Sequence, residues 1–347
     1  MMRYNIHDVI TFEVIDKRKY AAKKIDTFYN QFKYYREFSN SKNTDFIINI
    51  SNFDPQNEEC QILDGKYYVK ENYIYCKDKK KLSKWKIEVS SWEKSPTIIN
   101  ISTNIFGNIS VLTNFTDFLI HLKMAEKGYP LIHSSGVLID NRGIAFAARS
   151  SGGKTTIATN LMERGFKYFG DNFIILNSSQ IYNFLSPLNL YTYNLTPLIR
   201  KNLTFRKKTS ILTKQVLYFV SRRYLKLSTK LNLFEILPDQ VINQGKLDTL
   251  FLIIPKTNFS INKLDRKELI KHLVYNQQIE FMHMPFLNYI YAYSYVFSDS
   301  MIGNHWKIYE NSLRDAIGDK VKIYKIEVPL KYNSSIIEEI YKFVTNN

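Results

Sequence analysis

Ala148-Arg149-Ser150-Ser151-Gly152-Gly153-Lys154-Thr155-Thr156 is the stretch of this chain whose residue types and spacing dictate chemistry. Small residues let backbone N–H groups close around a polyanion, which is what Ser150, Ser151, Gly152 and Gly153 permit. Lys154 would reach the β- and γ-phosphates as a point charge. The Thr155 hydroxyl, with Thr156 beside it, would complete the shell of a Mg²⁺ ion bridging them. The pattern is that of a Walker A loop for a nucleoside triphosphate, with one relaxed position: Ala148 stands where the pattern has glycine. Alanine does not adopt every φ > 0 state that glycine does. The competing reading is a Gly/Ser turn followed by an exposed lysine.

Phosphoryl transfer also needs a carboxylate, to hold the metal or to orient and deprotonate the attacking hydroxyl. Asp171 is the leading candidate. It lies seventeen residues past Lys154, about the length that one helix and one returning strand consume. Read blandly, it is a turn aspartate after Gly170. Asp248, ahead of an apolar strand, is a weaker candidate for the same sheet edge, and Asp140 is most simply a turn residue. His133, in Leu131-Ile132-His133-Ser134-Ser135-Gly136, would either face the γ-phosphate or pack and donate one hydrogen bond.

These residues need elements to position them. Gly143 to Ala147 reads as a buried strand entering the loop, and Thr155 to Arg164 as a helix burying Ile157, Ala158, Leu161 and Met162. Gly136 to Ile139 and the turn Asp140-Asn141-Arg142-Gly143 make the entry an antiparallel hairpin. Doubly wound nucleotide binders instead enter the loop from a parallel sheet. Past Asp171, Phe173 to Leu176 reads as a strand. Upstream of residue 112, short alternating segments such as Tyr73-Ile74-Tyr75-Cys76 predict an antiparallel meander. A helix from Phe115 to Lys127, stopped by Gly128 and Pro130, marks the boundary. Residues 1–112 are therefore expected to be a β-rich domain that recruits substrate, and 113–347 the loop-bearing domain. In the latter, a strand at Leu250–Ile254, helices at Arg266–Tyr275 and Met301–Ile317, a strand at Val321–Val328 and a helix at Ser334–Val344 close the chain. The predicted fold class is mixed α+β.

The 347 residues are 45% hydrophobic and 15% aromatic, enough to bury a core. No apolar run reaches bilayer-spanning length, and no apolar signal region follows Met1, so the expected location is cytoplasmic. Cys60 and Cys76 cannot form a disulfide scaffold. The net charge of +16 predicts attraction to anionic partners, although lysine alongside abundant Asn, Ile and Tyr also fits genome composition. The densest basic cluster, Lys77 to Lys86, is expected at a hairpin tip, solvated or else docking nucleic acid or an acidic peptide. A second, Arg222-Arg223-Tyr224-Leu225-Lys226, is expected in a helix. Nucleic acid is not the expected partner, and the oligomeric state is left open.

Taken together, His133-Ser134-Ser135-Gly136-Val137, Arg142-Gly143, the Ala148–Thr155 loop, Gly165 and Asp171-Asn172 resemble the HPr kinase/phosphorylase family. The resemblance is to its C-terminal catalytic domain, a P-loop fold shared with ATP-dependent phosphoenolpyruvate carboxykinase, and covers roughly residues 131–177. It implies phosphorylation of a serine in a protein or peptide using ATP and Mg²⁺; the basic charge of the chain separately allows an acidic substrate. Lys154 and Thr155 would hold phosphates and metal, and Asp171 would act on the serine hydroxyl. The chain departs from the family at Asn172, where the family has a second acid, and at Thr156, where it has an acid after the loop hydroxyl. It also lacks the Arg-Gly-Leu-Gly-type signature linked to phosphorolysis, so phosphorylase activity is not expected. In these respects it looks closer to the stand-alone HPr-kinase-like proteins, some of which modify peptides such as lasso-peptide precursors.

Two rivals stand beside the kinase: a regulator that holds nucleotide without transferring phosphate, and a kinase of a small hydroxylated metabolite. A GTPase reading of Asn262-Lys263-Leu264-Asp265 fails. The Asp-x-x-Gly required between the loop and this tetrapeptide is missing, and the four residues read as a loop and N-cap entering the next helix.

Overall fold

The computed structural model describes residues 1–18, 28–38, 43–222, 224–225, 227–282, 286–329 and 334–346. Contacts divide the chain into two compact units, Met1–Pro130 with Gln278–Ser312, and Leu131–Gln277 with Leu313–Asn347. The fold is mixed α+β, with a nine-stranded sheet in each unit, a single path in the first and a seven-strand path with two further strands branching from it in the second.

The first unit carries β1 (Met2–Ile6), β2 (Ile10–Asp16), β3 (Arg36–Glu37), β4 (Phe46–Ile50), β5 (Gln61–Leu63), β6 (Tyr67–Lys70), β7 (Tyr73–Lys80), β8 (Ser83–Ser90) and β9 (Thr97–Thr103), ordered β3-β1-β2-β4-β9-β8-β7-β6-β5. The expected meander holds from β5 to β9. It fails at β4, which pairs parallel with both β2 and β9. Alternation reveals a half-buried strand but not the direction of its neighbour, so the parallel pairs were not visible in the sequence.

Helix α1 (Ile105–Glu126) follows, starting ten residues before the expected Phe115. Its first turns carry β-branched residues and Gly107, poor helix formers taken alone. Tertiary fit explains them: the Asn104 side chain caps the helix by accepting from Gly107 N at 2.9 Å, and a Cβ on Gly107 would sit 2.9 Å from Thr103 Cβ. The division expected at 112/113 thus falls inside α1. A segment from the C-terminal third, including α5 (Leu287–Val296), also belongs to the first unit.

The lysine cluster forms the β7–β8 hairpin as expected. Its register sets Lys77 opposite Lys86 and Lys79 opposite Lys84. Asp78 is taken by Lys66 at 2.8 Å, and Lys86 Nζ donates to the Phe53 carbonyl. Like charges facing across a ladder repel.

The second unit carries β10 (Leu131–Ile132), β11 (Ser134–Ile139), β12 (Arg142–Ala147), β13 (Lys167–Gly170), β14 (Phe173–Asn177), β15 (Gln180–Phe184), β16 (Leu188–Leu190), β17 (Thr229–Leu231), β18 (Gln244–Pro255), β19 (Ser260–Lys263) and β20 (Lys322–Val328). The main order is β10-β14-β15-β18-β12-β11-β13, with β20 pairing β18 and β19. The loop strand β12 has an antiparallel partner, β11, and a parallel one, β18, so the sheet is mixed. The hairpin turn is tighter than expected: only Asp140 (φ 48°) and Asn141 (φ 60°) lie between the strands, the left-handed pair of a two-residue hairpin.

Helices α2 (Lys154–Glu163), α3 (Phe205–Val220), α4 (Arg266–Met282), α6 (His305–Ala316) and α7 (Ser334–Asn346) complete the described framework. The expected helix at Met301 begins only at His305. Asn262 and Lys263 lie in β19 rather than a loop, while Asp265 caps α4 as expected, accepting from Lys267 N at 2.8 Å. The second basic stretch is not helical at Tyr224 and Leu225, because α3 ends at Val220; Arg223 and Lys226 lie outside the described residues. No helix among the described residues is long and apolar enough to cross a membrane.

In the first unit, His121 on α1 packs against His305 at 5.2 Å, Tyr309 at 4.6 Å and Phe281 at 4.8 Å between ring centroids. Neither His121 nitrogen, nor His305 Nε2, has a hydrogen-bond partner. Burial holds both imidazoles below their ordinary value of 6.5, His305 down to about 3, with the His305 neighbour depressing His121 as well. The unfolded chain therefore takes up protons first. Stability from this pair is present above pH 6.5 and lost as pH falls from there toward about 3. Urea midpoints measured across that range should fall with pH, and His305→Phe should flatten the slope; an unchanged slope would show that the pair does not drive the acid transition.

Candidate functional site

Three segments meet at one edge of the second unit's sheet because of strand direction. Antiparallel pairing sets Ser134, the first residue of β11, against Ala147, the last of β12. Gly136 of β11 lies opposite Gly170, the last of β13. His133 before β11, the loop after β12 and Asp171 after β13 therefore emerge together. Backbone bonds stitch them: Ala148 N donates to His133 O at 3.4 Å and Ser134 N to Asn172 O at 3.2 Å.

Loop geometry explains the relaxed first position. The left-handed residues are Ser151 (φ 66°) and Gly153 (φ 90°), and Ala148 is not among them, so alanine costs nothing there. Gly152 is the constrained position, since a Cβ on it would lie 2.8 Å from Ala148 Cβ and 3.0 Å from Arg149 O. Ser150 and Ser151 are exposed while Gly152 and Lys154 are buried. Helix α2 starts at Lys154, one residue earlier than expected, with Gly153 as its N-cap. Its positive end is directed at the loop. Thr156 lies in the first turn, half-buried.

Lys154 is 6% exposed, contrary to a surface lysine after a chance turn. Its ammonium donates to Ala148 O at 3.1 Å and Arg149 O at 3.3 Å, and lies 3.0 Å from His133 Nε2. An ammonium offers only donors, so Nε2 accepts and the ring proton sits on Nδ1. Burial first, and then the Lys154 charge, hold His133 well below its ordinary pKa. His133 is thus brought to the loop as a neutral acceptor for its lysine.

The Thr155 hydroxyl donates to Asp171 Oδ2 at 2.7 Å, which leaves its lone pairs free to face a cation. Asp171 Oδ1 is buried with no hydrogen-bond partner. Burial raises the Asp171 pKa, an effect partly offset by Lys154, the Thr155 hydroxyl and the Asn172 backbone N–H. A buried carboxylate oxygen with no protein partner is met by a water, an ion or a ligand, or serves a chemical task. Asn172 is accounted for by its turn: it adopts φ 71°, which asparagine tolerates, and its amide donates to Ser186 Oγ at 3.4 Å.

Asp248 is not brought here. It is the extra residue of a bulge level with Gly143 and Ile144, about 13 Å short of the loop at strand rise. Its carboxylate accepts from Thr249 Oγ1 at 2.7 Å. Asp140 is confined to its turn. Two residues went unread in the sequence. Ser135 Oγ donates to Lys154 O at 3.0 Å; its only signal was the His-Ser-Ser-Gly context. Asn276 on α4 donates to Ala148 O at 3.1 Å from 128 residues away, with no local signal.

The residues that could hold a triphosphate and a cation are the Gly152–Gly153 cradle, Lys154, and the Thr155–Asp171 pair, whose Asp171 Oδ1 has no protein partner. Mg²⁺ is commonly held by one or two carboxylates together with substrate phosphates, and this donor set fits that habit.

No family model and no curated protein sequence matches the chain. Among solved structures, an HPr(Ser) kinase/phosphatase from Coxiella burnetii is similar at 11% identity and a TM-score of 0.30, over 62% of this chain and 94% of that one. A superposition that loose carries no functional residue from one chain to the other.

Because the folded Asp171 pKa lies above its unfolded value, the group's contribution to stability is present below the unfolded pKa and lost as pH rises through the folded one. Ionised Asp171 is thus a net cost at neutral pH. Asp171→Asn keeps an acceptor for Thr155 and should leave Tm at pH 7 unchanged or raised. A clear drop in Tm would mean the carboxylate stabilises the fold.

Proposed function

We propose that the chain is an ATP- and Mg²⁺-dependent kinase that transfers the γ-phosphate to a hydroxyl, most economically the serine of a protein or peptide. The observation carrying this is the buried Asp171, with one oxygen on the hydroxyl of the residue after Lys154 and the other unpartnered. Gly152, Gly153 and the start of α2 would cradle the phosphates, and Lys154 would exchange its loop carbonyls for phosphate oxygens. When bound, Mg²⁺ would neutralise charge on the β- and γ-phosphates, held by Thr155 and Asp171. Asp171 would accept the proton of the incoming hydroxyl as its oxygen bonds to the γ-phosphorus and the bond from that phosphorus to the bridging oxygen breaks, releasing ADP. The raised pKa of Asp171 supports this role, since it strengthens the carboxylate as a base. His133 would act through Lys154, fixing its direction.

An acidic substrate is supported by the first unit. A cleft of about 820 Å³ is lined by Lys77, Lys79, Lys84 and Lys86 together with Asp78, whose carboxylate is paired with Lys66, and an anionic segment there would relieve the repulsion between the two facing lysine pairs. A cytoplasmic setting agrees with ATP as donor.

Incubation of the purified protein with γ-labelled ATP and Mg²⁺ in a lysate of its source cells should label one polypeptide band. Lys154→Ala should cut transfer by about 100-fold or more. Asp171→Asn should abolish transfer yet retain ATP binding. Transfer by Asp171→Asn at the parent rate would remove Asp171 as the base. Label in a small molecule would make the acceptor a metabolite, and binding without transfer would make the chain a nucleotide-dependent regulator.

A further inference from the structure

Helix α3 turns its apolar face outward. Phe205, Leu212, Val216, Phe219 and Val220 are 80, 59, 59, 58 and 76% exposed, while Ile211 is the buried residue of the helix. Their spacing puts all five on one stripe at helical periodicity, about 22 Å long at 1.5 Å per residue. Tyr224, 92% exposed, follows the C-terminal end. The opposite side of α3 is tied to the second unit: Lys214 Nζ donates to Ser228 O at 2.8 Å and to Thr229 Oγ1 at 3.1 Å, and the Thr204 side chain caps the N-terminus by accepting from Lys207 N. The stripe therefore sits on an anchored helix.

Its charge setting narrows the occupant. Between Asp171 and Glu235 the chain has ten Lys and Arg residues and no acid. On α3 itself Arg206 and Lys208 flank the stripe and no acidic residue stands beside them, so a second copy of this face offers it no counter-charge. The occupant must supply negative charge and an apolar phase together. We propose that α3 docks the protein on the surface of a bilayer containing anionic lipid. Phe205, Leu212, Val216, Phe219 and Val220 enter the boundary between headgroups and acyl chains, and Arg206 and Lys208, which flank the stripe on either side in helical projection, lie at the headgroups. Interfacial helices combine an apolar face with Lys and Arg in this way, and anionic headgroups attract such clusters. A bilayer is favoured over a folded acidic partner because five large apolar side chains stand 58–80% exposed along a single helix, and a deformable apolar phase covers such a stripe without a matching groove.

The test is co-sedimentation of the full chain with vesicles of phosphatidylcholine alone and of an equimolar phosphatidylcholine–phosphatidylserine mixture. The expected result is binding to the mixed vesicles only, weakened by added salt and reduced at least tenfold in Leu212→Glu/Val216→Glu. Both positions are solvent-facing, so that variant should keep the parent's Tm and its ATP binding. Absence of binding to mixed vesicles, or binding that the double variant leaves intact, would overturn the proposal. So would a dimer, seen by light scattering, that the double variant dissolves. The readout is independent of phosphoryl transfer, so its failure and that of the kinase reading are separate events.

Discussion

One buried ammonium organises the loop edge. Lys154 is nearly sealed from solvent, and a cation in that position is tolerated only if its donors are met. The Ala148 and Arg149 carbonyls and the neutral imidazole of His133 meet them. Each partner is then constrained in turn. The loop must fold back on itself, which crowds Ala148 against Gly152, and His133 must stay unprotonated. The same charge helps keep Asp171 ionisable where burial alone would favour its acid form.

That arrangement depends on strand direction more than on any single contact. With β11 antiparallel to β12 and β13 antiparallel to β11, two chain reversals return His133 and Asp171 to the end of the sheet where the loop emerges. A purely parallel sheet would need a long crossover for each return. Asp248 shows the contrast: β18 runs parallel to β12, so a residue at its beginning is at the far end from the loop.

Charge is distributed unevenly for a chain with a net +16. In the first unit, lysines face lysines across β7 and β8; in the second, a long acid-free stretch surrounds an outward apolar helix.

The loop, the strand and helix around it, and the hairpin before it were legible in the sequence because each is local. Glycines and a lysine at fixed spacing, periods of two and of 3.6, and a two-residue turn are all written within a few neighbours. The placement of Asp171 was legible as a distance along the chain, since one helix and one strand have known lengths. Tertiary structure alone decided the rest. The contact of His133 with Lys154, the reach of Asn276 to Ala148, the parallel pairing of β4 and the early start of α1 all depend on which surfaces pack together. Burial and pairing partner belong to the folded chain, so residue types and spacing carried no record of them.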